Sequence, residues 1–225
     1  MRAGWLGLAG VLAFAAWTLP APGEPGPLVR VDYSNPGLTP PHWTLVLYPD
    51  GSGHFRSERG NPPAGSAQIS PPTIMAVEVD REVRVSAEFA GRVFLAARRH
   101  KWFSEGCESR EKVAFQGLKT LTYAGPEGQG SCEFNYSKDK ELQELSDCLV
   151  GVAATILEGA RLEKLLLHDR LGLDQEMEYL TEASGDGRLQ QIGVIRGILE
   201  RLEEDPSVME RVRKRARVLL TKVEE

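Results

Sequence analysis

Cysteine is scarce in this chain: three residues, Cys107, Cys132 and Cys148, in 225. No two of them stand at zinc-ligand spacing, which excludes a zinc finger or ribbon. Histidine is equally sparse, with His42, His54, His100 and His168 scattered along the chain. Aromatic residues make up only 7%, so no stacking platform for bases stands out. The net charge of −5 argues against a general affinity for nucleic acid or anionic lipid. There is no Gly-x-Ser-x-Gly elbow, and no glycine loop leads into a Lys-Ser/Thr pair. The familiar serine-hydrolase and P-loop chemistries are therefore absent, and no catalytic, cofactor-binding or metal-binding residue is assigned.

What the sequence does contain begins with a leader. Arg2 gives a positive start, Trp5 to Trp17 is an uncharged apolar run, and Thr18-Leu19-Pro20-Ala21-Pro22-Gly23 precedes the first acid, Glu24. This is the order of a secretory signal peptide, expected over residues 1–21, with 22–27 as a linker. Cleavage after Ala15 or after Ala21 fits, and the apolar core is short for a bilayer span. The alternative is an uncleaved anchor, which would then be the membrane contact. No cysteine follows the run, which argues against a lipoprotein. The expected location is periplasmic or secreted. An oxidising compartment allows a Cys107–Cys132 disulfide, because both residues lie in a polar, strand-rich stretch. Closing that loop of roughly 25 residues contributes about 3 kcal/mol in the chain-entropy model. Cys148 falls in an apolar helical pattern and is expected as a buried thiol.

The period of the apolar residues divides the rest. Leu28 to Tyr33 and Trp43 to Tyr48 alternate as strands, Pro49 to Gly53 has turn chemistry, and His54 to Ser57 returns as a hairpin arm. Asn61 to Pro72 reads as a loop. Met75 to Val79 and Glu82 to Val85 read as strand. Phe89, Val93, Phe94 and Ala97 have helical spacing, with Ser86 as the N-cap. Lys112 to Tyr123 reads as a strand with Gly117 as a bulge, and Cys132 to Tyr136 as its return across a turn at 125–130. From Lys138 the pattern is helical. A long helix runs toward Leu166, and Asp174 caps a short one. Leu189 to Leu202 forms the next helix, and Asp205-Pro206 starts the last. The expectation is an α+β fold: an antiparallel sheet with one packed helix and the long helix over 28–168, then a C-terminal helical extension over 169–225.

Each chemical signal has a plainer explanation. His42 and His54 flank one hairpin and could meet, but no third metal ligand is evident. Asp50-Gly51-Ser52-Gly53 is explained by a turn rather than a calcium loop. Cys107 with His100 is a nucleophile pair on paper, better read as a disulfide partner. Glu141 and Glu144, and Glu203, Glu204 and Asp205, sit on polar helix faces. Asn135-Tyr136-Ser137 matches a glycosylation sequon, relevant only in a eukaryotic secretory route. Arg211, Arg213, Lys214, Arg215 and Arg217 form the one notable charge cluster: a patch for an acidic partner or lipid headgroups, or a solvated face balancing Glu200, Glu203 and Glu204.

Several segments together carry a resemblance: Trp43 to Phe55, Lys101-Trp102-Phe103 ahead of Cys107, Gly117 to Leu121, Cys132 to Ser137, and Asp169 to Asp174. They resemble uncharacterised secreted bacterial proteins built on a small hairpin-and-helix domain of unknown function. The resemblance implies export, the Cys107–Cys132 bond and the α+β fold, and transfers no site residue. Two functions follow. One is a non-enzymatic binding or structural module of the bacterial cell envelope, with an envelope protein or ligand as partner and no nucleic acid. The other is an exported hydrolase with an unconventional site. The cysteine reading makes a direct prediction: thiol titration of the denatured protein gives one thiol before reduction and three after, and three before reduction refutes the crosslink.

Overall fold

The structure, a computed structural model, describes residues 26–59 and 78–224. The expected leader, most of its linker, the loop at 61–72 and the strand residues Met75 to Val77 lie outside them. Alternating side chains produce the strands expected of them. They are β1 (Leu28–Ser34), β2 (His42–Leu47), β3 (Ser52–Ser57), β4 (Val79–Arg84), β5 (Leu118–Gly125) and β6 (Gly128–Phe134). They form one antiparallel sheet in the order β4-β3-β2-β1-β5-β6. One face is apolar: Val29, Val31 and Tyr33 of β1, Trp43, Leu45 and Leu47 of β2, Phe55 of β3 and Leu121 and Tyr123 of β5 are all buried. Tyr33 stacks on Trp43 at 5.1 Å, and Trp43 leans on Phe55 at 5.9 Å. The other face carries the polar partners of the alternation, as in an antiparallel sheet covered on one side.

Two helices cover the apolar face. Helix α1 (Ala87–Arg99) is capped as expected, the Ser86 hydroxyl accepting from the Phe89 N–H. Helix α2 (Lys140–His168) is capped by Asp139, which accepts from the Leu142 N–H. Its N-terminal two-thirds, from Leu142 to Ala160, packs into the sheet core. Its last turns, at Leu162, Leu165 and Leu166, belong to a second core built with α3 (Gly172–Gly185), α4 (Arg196–Glu204) and α5 (Glu210–Glu224). Arg81 of β4 reaches α2 through a bidentate pair with Glu163, at 2.8 and 3.2 Å.

The crossing between the cores explains two glycines inside a helix. The segment from Gln190 to Ile195 lies across α2. Thr155, fully buried, donates its hydroxyl to the Gln190 carbonyl at 2.7 Å and accepts from the Gln190 N–H at 3.1 Å. A Cβ at Gly151 would come within 2.7 Å of Gln190, and one at Gly159 within 2.3 Å of Ile195. Gly151, Thr155 and Gly159, four residues apart, thus form the seat for that crossing.

Several boundaries differ from the sequence expectation. Gly117 is no bulge: it precedes β5 at φ +113°, and a Cβ there would enter the Tyr33 ring. The chain before it, expected as strand from Lys112, has no regular structure. Gly128 and Gly130, expected in a turn, already belong to β6. Asp174 does not cap α3; Asp169 accepts from the Gly172 N–H instead, freeing Asp174 for arginines. Leu189 to Leu202 is not one helix, because Gln191 takes a left-handed conformation and a 3-10 turn over Ile192–Ile195 precedes α4. Asp205-Pro206 makes a turn, with Ser207 N–H donating to Asp205, and α5 starts only at Glu210.

Glycine clearance predicts opposite signs for two alanine substitutions. Gly91→Ala, with open space around an exposed helical position, should stabilise by about 1 kcal/mol. Gly130→Ala would set a Cβ 2.3 Å from the Trp102 carbonyl and should destabilise by roughly 2 kcal/mol. Denaturant midpoints check both; equal effects of one sign refute the packing.

Candidate functional site

Between α1 and β5 the chain makes an uncommon turn. Lys101, Trp102 and Phe103 all have positive φ, at 50°, 62° and 62°. Left-handed backbone costs an L-residue roughly 1–2 kcal/mol, and three in a row are rarely seen. The neighbouring residues compensate. Phe103 is fully buried. Trp102 stacks on Tyr123 at 4.4 Å. The turn is closed by the Phe103 N–H to the His100 carbonyl and by the Ser104 N–H and hydroxyl to the Lys101 carbonyl. On the sheet side β6 makes room. Gly128 and Gly130 would each drive a Cβ into Trp102, at 2.4 and 2.3 Å. The next residue on that face of β6 is Cys132, which bonds Cys107 with a Cα–Cα distance of 5.7 Å. Three alternate positions of one strand therefore seat and fasten the turn.

The fastened loop walls a pocket of about 370 Å³. Its lining is polar: His100, Glu105, Cys107, Glu108 and Arg110 from the loop, and Ser137, Lys138 and Asp139 from the entry to α2. His100 is largely buried, and its Nε2 lies 3.2 Å from Glu141 Oε2 and 3.8 Å from Asp139 Oδ1. Glu141 also pairs with Arg99 at 2.9 Å, and Lys138 with Glu111 at 3.0 Å. Glu108 accepts from the Asn135 N–H, and the Ser109 N–H donates to the Tyr136 carbonyl, so the loop is laced to the end of β6. Asn135, the sequon residue, spends its amide on this lacing, accepting from the Gln116 N–H and donating to the Ala114 carbonyl. The pocket can offer charged donors and acceptors to a small polar group. The disulfide occupies Cys107, so that sulfur is no thiolate partner for His100.

The other histidines do not converge. His54 pairs across the strands with Val46, whereas His42 lies beside the Glu58 end of the hairpin, four residues along β2 and roughly 13 Å away by strand rise. His42 Nδ1 lies 3.4 Å from Glu58. His54 sits on the polar face of the sheet with Nε2 2.9 Å from Asp80 and Nδ1 2.9 Å from Glu82. Among the described residues no group of three or more His, Cys, Asp or Glu side chains could hold a metal ion.

The basic cluster of α5 is largely engaged within the fold. Arg211 and Arg215 both pair with Asp174, at 2.8 and 2.5 Å. Arg213 pairs with Glu210 and donates to the Glu203 carbonyl, and Arg217 pairs with Glu203. Lys214 is exposed. Cys148 is half-buried in the groove between α1 and α2, and burial raises its thiol pKa.

Two buried ionisable features stand outside the expected site residues. Lys119 points inward from β5, donates to the Asn135 carbonyl at 2.9 Å and lies over the Phe134 ring; burial lowers its pKa. Its inward position in the alternation of β5 was readable, but its solution, a backbone carbonyl and a ring, was not. Glu158 of α2 faces Glu176 of α3, itself only 6% exposed and paired with Arg161 at 2.7 Å. Burial, then the hydrogen bond and charge of Glu176, push Glu158 up to about 9, against the attraction of Arg161. Glu158 thus holds a proton at neutral pH. No spacing along the chain announces a pair brought together only by helix packing.

No protein-family model matches the chain, and no curated protein matches it either. Fold and site alone therefore define the class: an α+β protein with a disulfide-fastened polar pocket at one end of its sheet.

The Glu158 pair predicts a pH dependence. Its folded pKa is about 9 against 4.5 for the ordinary group, so its stabilising contribution is complete below the lower value and is lost as pH rises through the higher one. Glu158→Gln should match the parent near pH 4 and exceed it near pH 8 by about 5 kcal/mol, or roughly 10–20 °C in Tm. A difference independent of pH refutes the shared proton.

Proposed function

We propose that the protein is a binding module of the bacterial cell envelope, exported by residues 1–21 and related to the secreted hairpin-and-helix proteins it resembles. The observation that carries this reading is the Cys107–Cys132 bond, because crosslinks of this kind persist where thiols are kept oxidised. Among the described residues no helix is long and apolar enough to cross a membrane, which is compatible with a folded domain outside the cytosol. The polar pocket walled by the disulfide loop is the surface offered to the partner. Two of its charged groups are held by carboxylates just outside it, His100 by Glu141 and Lys138 by Glu111, a state suited to exchanging partners with a ligand rather than to attacking one.

One observation supports a second reading, an exported hydrolase. His100, in the pocket wall, meets Glu141 behind it, the contact an acid–base histidine needs for orientation. Turnover of chromogenic esters or peptides that disappears in His100→Ala would establish it.

The binding reading predicts the outcome of photo-crosslinking in a bacterial host. A photoreactive residue at Lys138, on the pocket rim, should trap an adduct in the envelope fraction. The same probe at exposed Ala124 should not. Deleting residues 2–21 should leave the protein cytoplasmic and without an adduct. Adducts equal at both positions, or an unchanged location on deletion, refute the proposal.

A further inference from the structure

The disulfide is placed where its loss has a local consequence. The three left-handed residues Lys101 to Phe103 lie between α1, whose own cap and apolar face hold it to the sheet, and Cys107, whose bond to Cys132 ties the loop to β6. Without that bond the hold on the loop is the Trp102–Tyr123 stack, the buried Phe103 ring and the hydrogen bonds of Glu108 and Ser109 to the end of β6. The conformation being held is one that L-residues leave readily when released. The helical core takes nothing from the loop, and the sheet core takes Phe103 and Cys107 from it but is otherwise built by strands and helices on either side. Cys107 lines the pocket, so an attacking sulfur approaches from that side.

We propose that the Cys107–Cys132 bond is a redox-operated clamp: intact, it holds residues 101–110 in their left-handed path and keeps the pocket wall in place; reduced by a dithiol, it releases that loop while both cores stay folded. The release itself follows from the loop geometry, and its effect on a ligand rests on the binding reading above. The chemistry is a two-electron exchange. A thiolate of the dithiol attacks the Cys107 sulfur, the S–S bond breaks, and its electron pair leaves on the Cys132 sulfur, which takes a proton. The second thiol of the reductant then attacks the mixed disulfide, closing its own ring and freeing Cys107 as a thiol. The dithiol is oxidised and the protein disulfide reduced.

The test uses the chain that begins at Pro22, in which Trp43 and Trp102 are the two tryptophans. Trp43 is buried in the sheet core and Trp102 sits on the clamped turn. Dithiothreitol is titrated under native conditions while free thiols, far-UV circular dichroism and acrylamide quenching of fluorescence are followed. In Trp43→Phe, where Trp102 reports, quenching should rise roughly threefold as the thiol count goes from one to three. In Trp102→Phe, where Trp43 reports, quenching and dichroism should hold steady. Cys107→Ser/Cys132→Ser should show the released quenching without reductant. Three outcomes overturn the clamp: thiols appear with no change at Trp102, Trp43 and the dichroism are lost together with Trp102, or the bond resists the dithiol in the folded protein. None of them depends on whether the pocket crosslinks to a partner, so the two proposals fail separately.

Discussion

Helix α2 is the member on which the rest of the molecule depends. At 29 residues it spans roughly 43 Å and contributes to both apolar cores. Its first part supplies one wall of the sheet core and its last turns one wall of the helical core. Neither core is closed without it. The sheet has an apolar face that α1 alone, at 13 residues, is too short to cover. The three terminal helices have stripes that need a common partner. The crossing at Gly151, Thr155 and Gly159 then fixes the azimuth of the second core relative to the first, since a close backbone approach tolerates little sliding. The Glu158–Glu176–Arg161 cluster lies at the same junction, where one proton and one guanidinium keep two carboxyl groups compatible with burial.

At the other end of the sheet a different constraint operates. Residues 101–103 adopt a backbone that their side chains disfavour, and the structure meets that cost with packing, two clearance glycines and a covalent bond on a single strand. Gly128, Gly130 and Cys132 have one geometric role each, and the period of two along β6 brings all three to the same face. This placement puts an oxidation-dependent bond beside a polar pocket.

Much of the fold was legible because alternation and helical spacing are local. The inward set Trp43, Leu45, Leu47 and Phe55, the caps at Ser86 and the stripe Leu142-Leu145-Leu149-Val152 needed no tertiary knowledge. The errors fell where a local signal had a second use. Asp174 looked like a cap and instead holds two arginines, while Asp169 accepts from the Gly172 N–H at the helix start. Gly117 looked like a bulge and instead clears Tyr33. Asp205-Pro206 looked like a helix start and makes a turn. The arginines of the last helix read as a patch for a partner or a solvated face, and four of the five cations have acidic partners within the fold.

The sequence by itself determined the α+β class, the order of strands and helices, and the two cysteines set apart by their polar surroundings from the third on an apolar stripe. These follow from which side chains repeat at two or at 3.6 residues, a property of neighbours along the chain. Only the tertiary structure decided that Trp102 would lie against Gly128 and Gly130, that Glu158 would share a proton with Glu176, and that His42 and His54 would remain apart. Those outcomes depend on distances between residues remote in sequence, which the register of the sheet and the path of α2 set and no local pattern encodes.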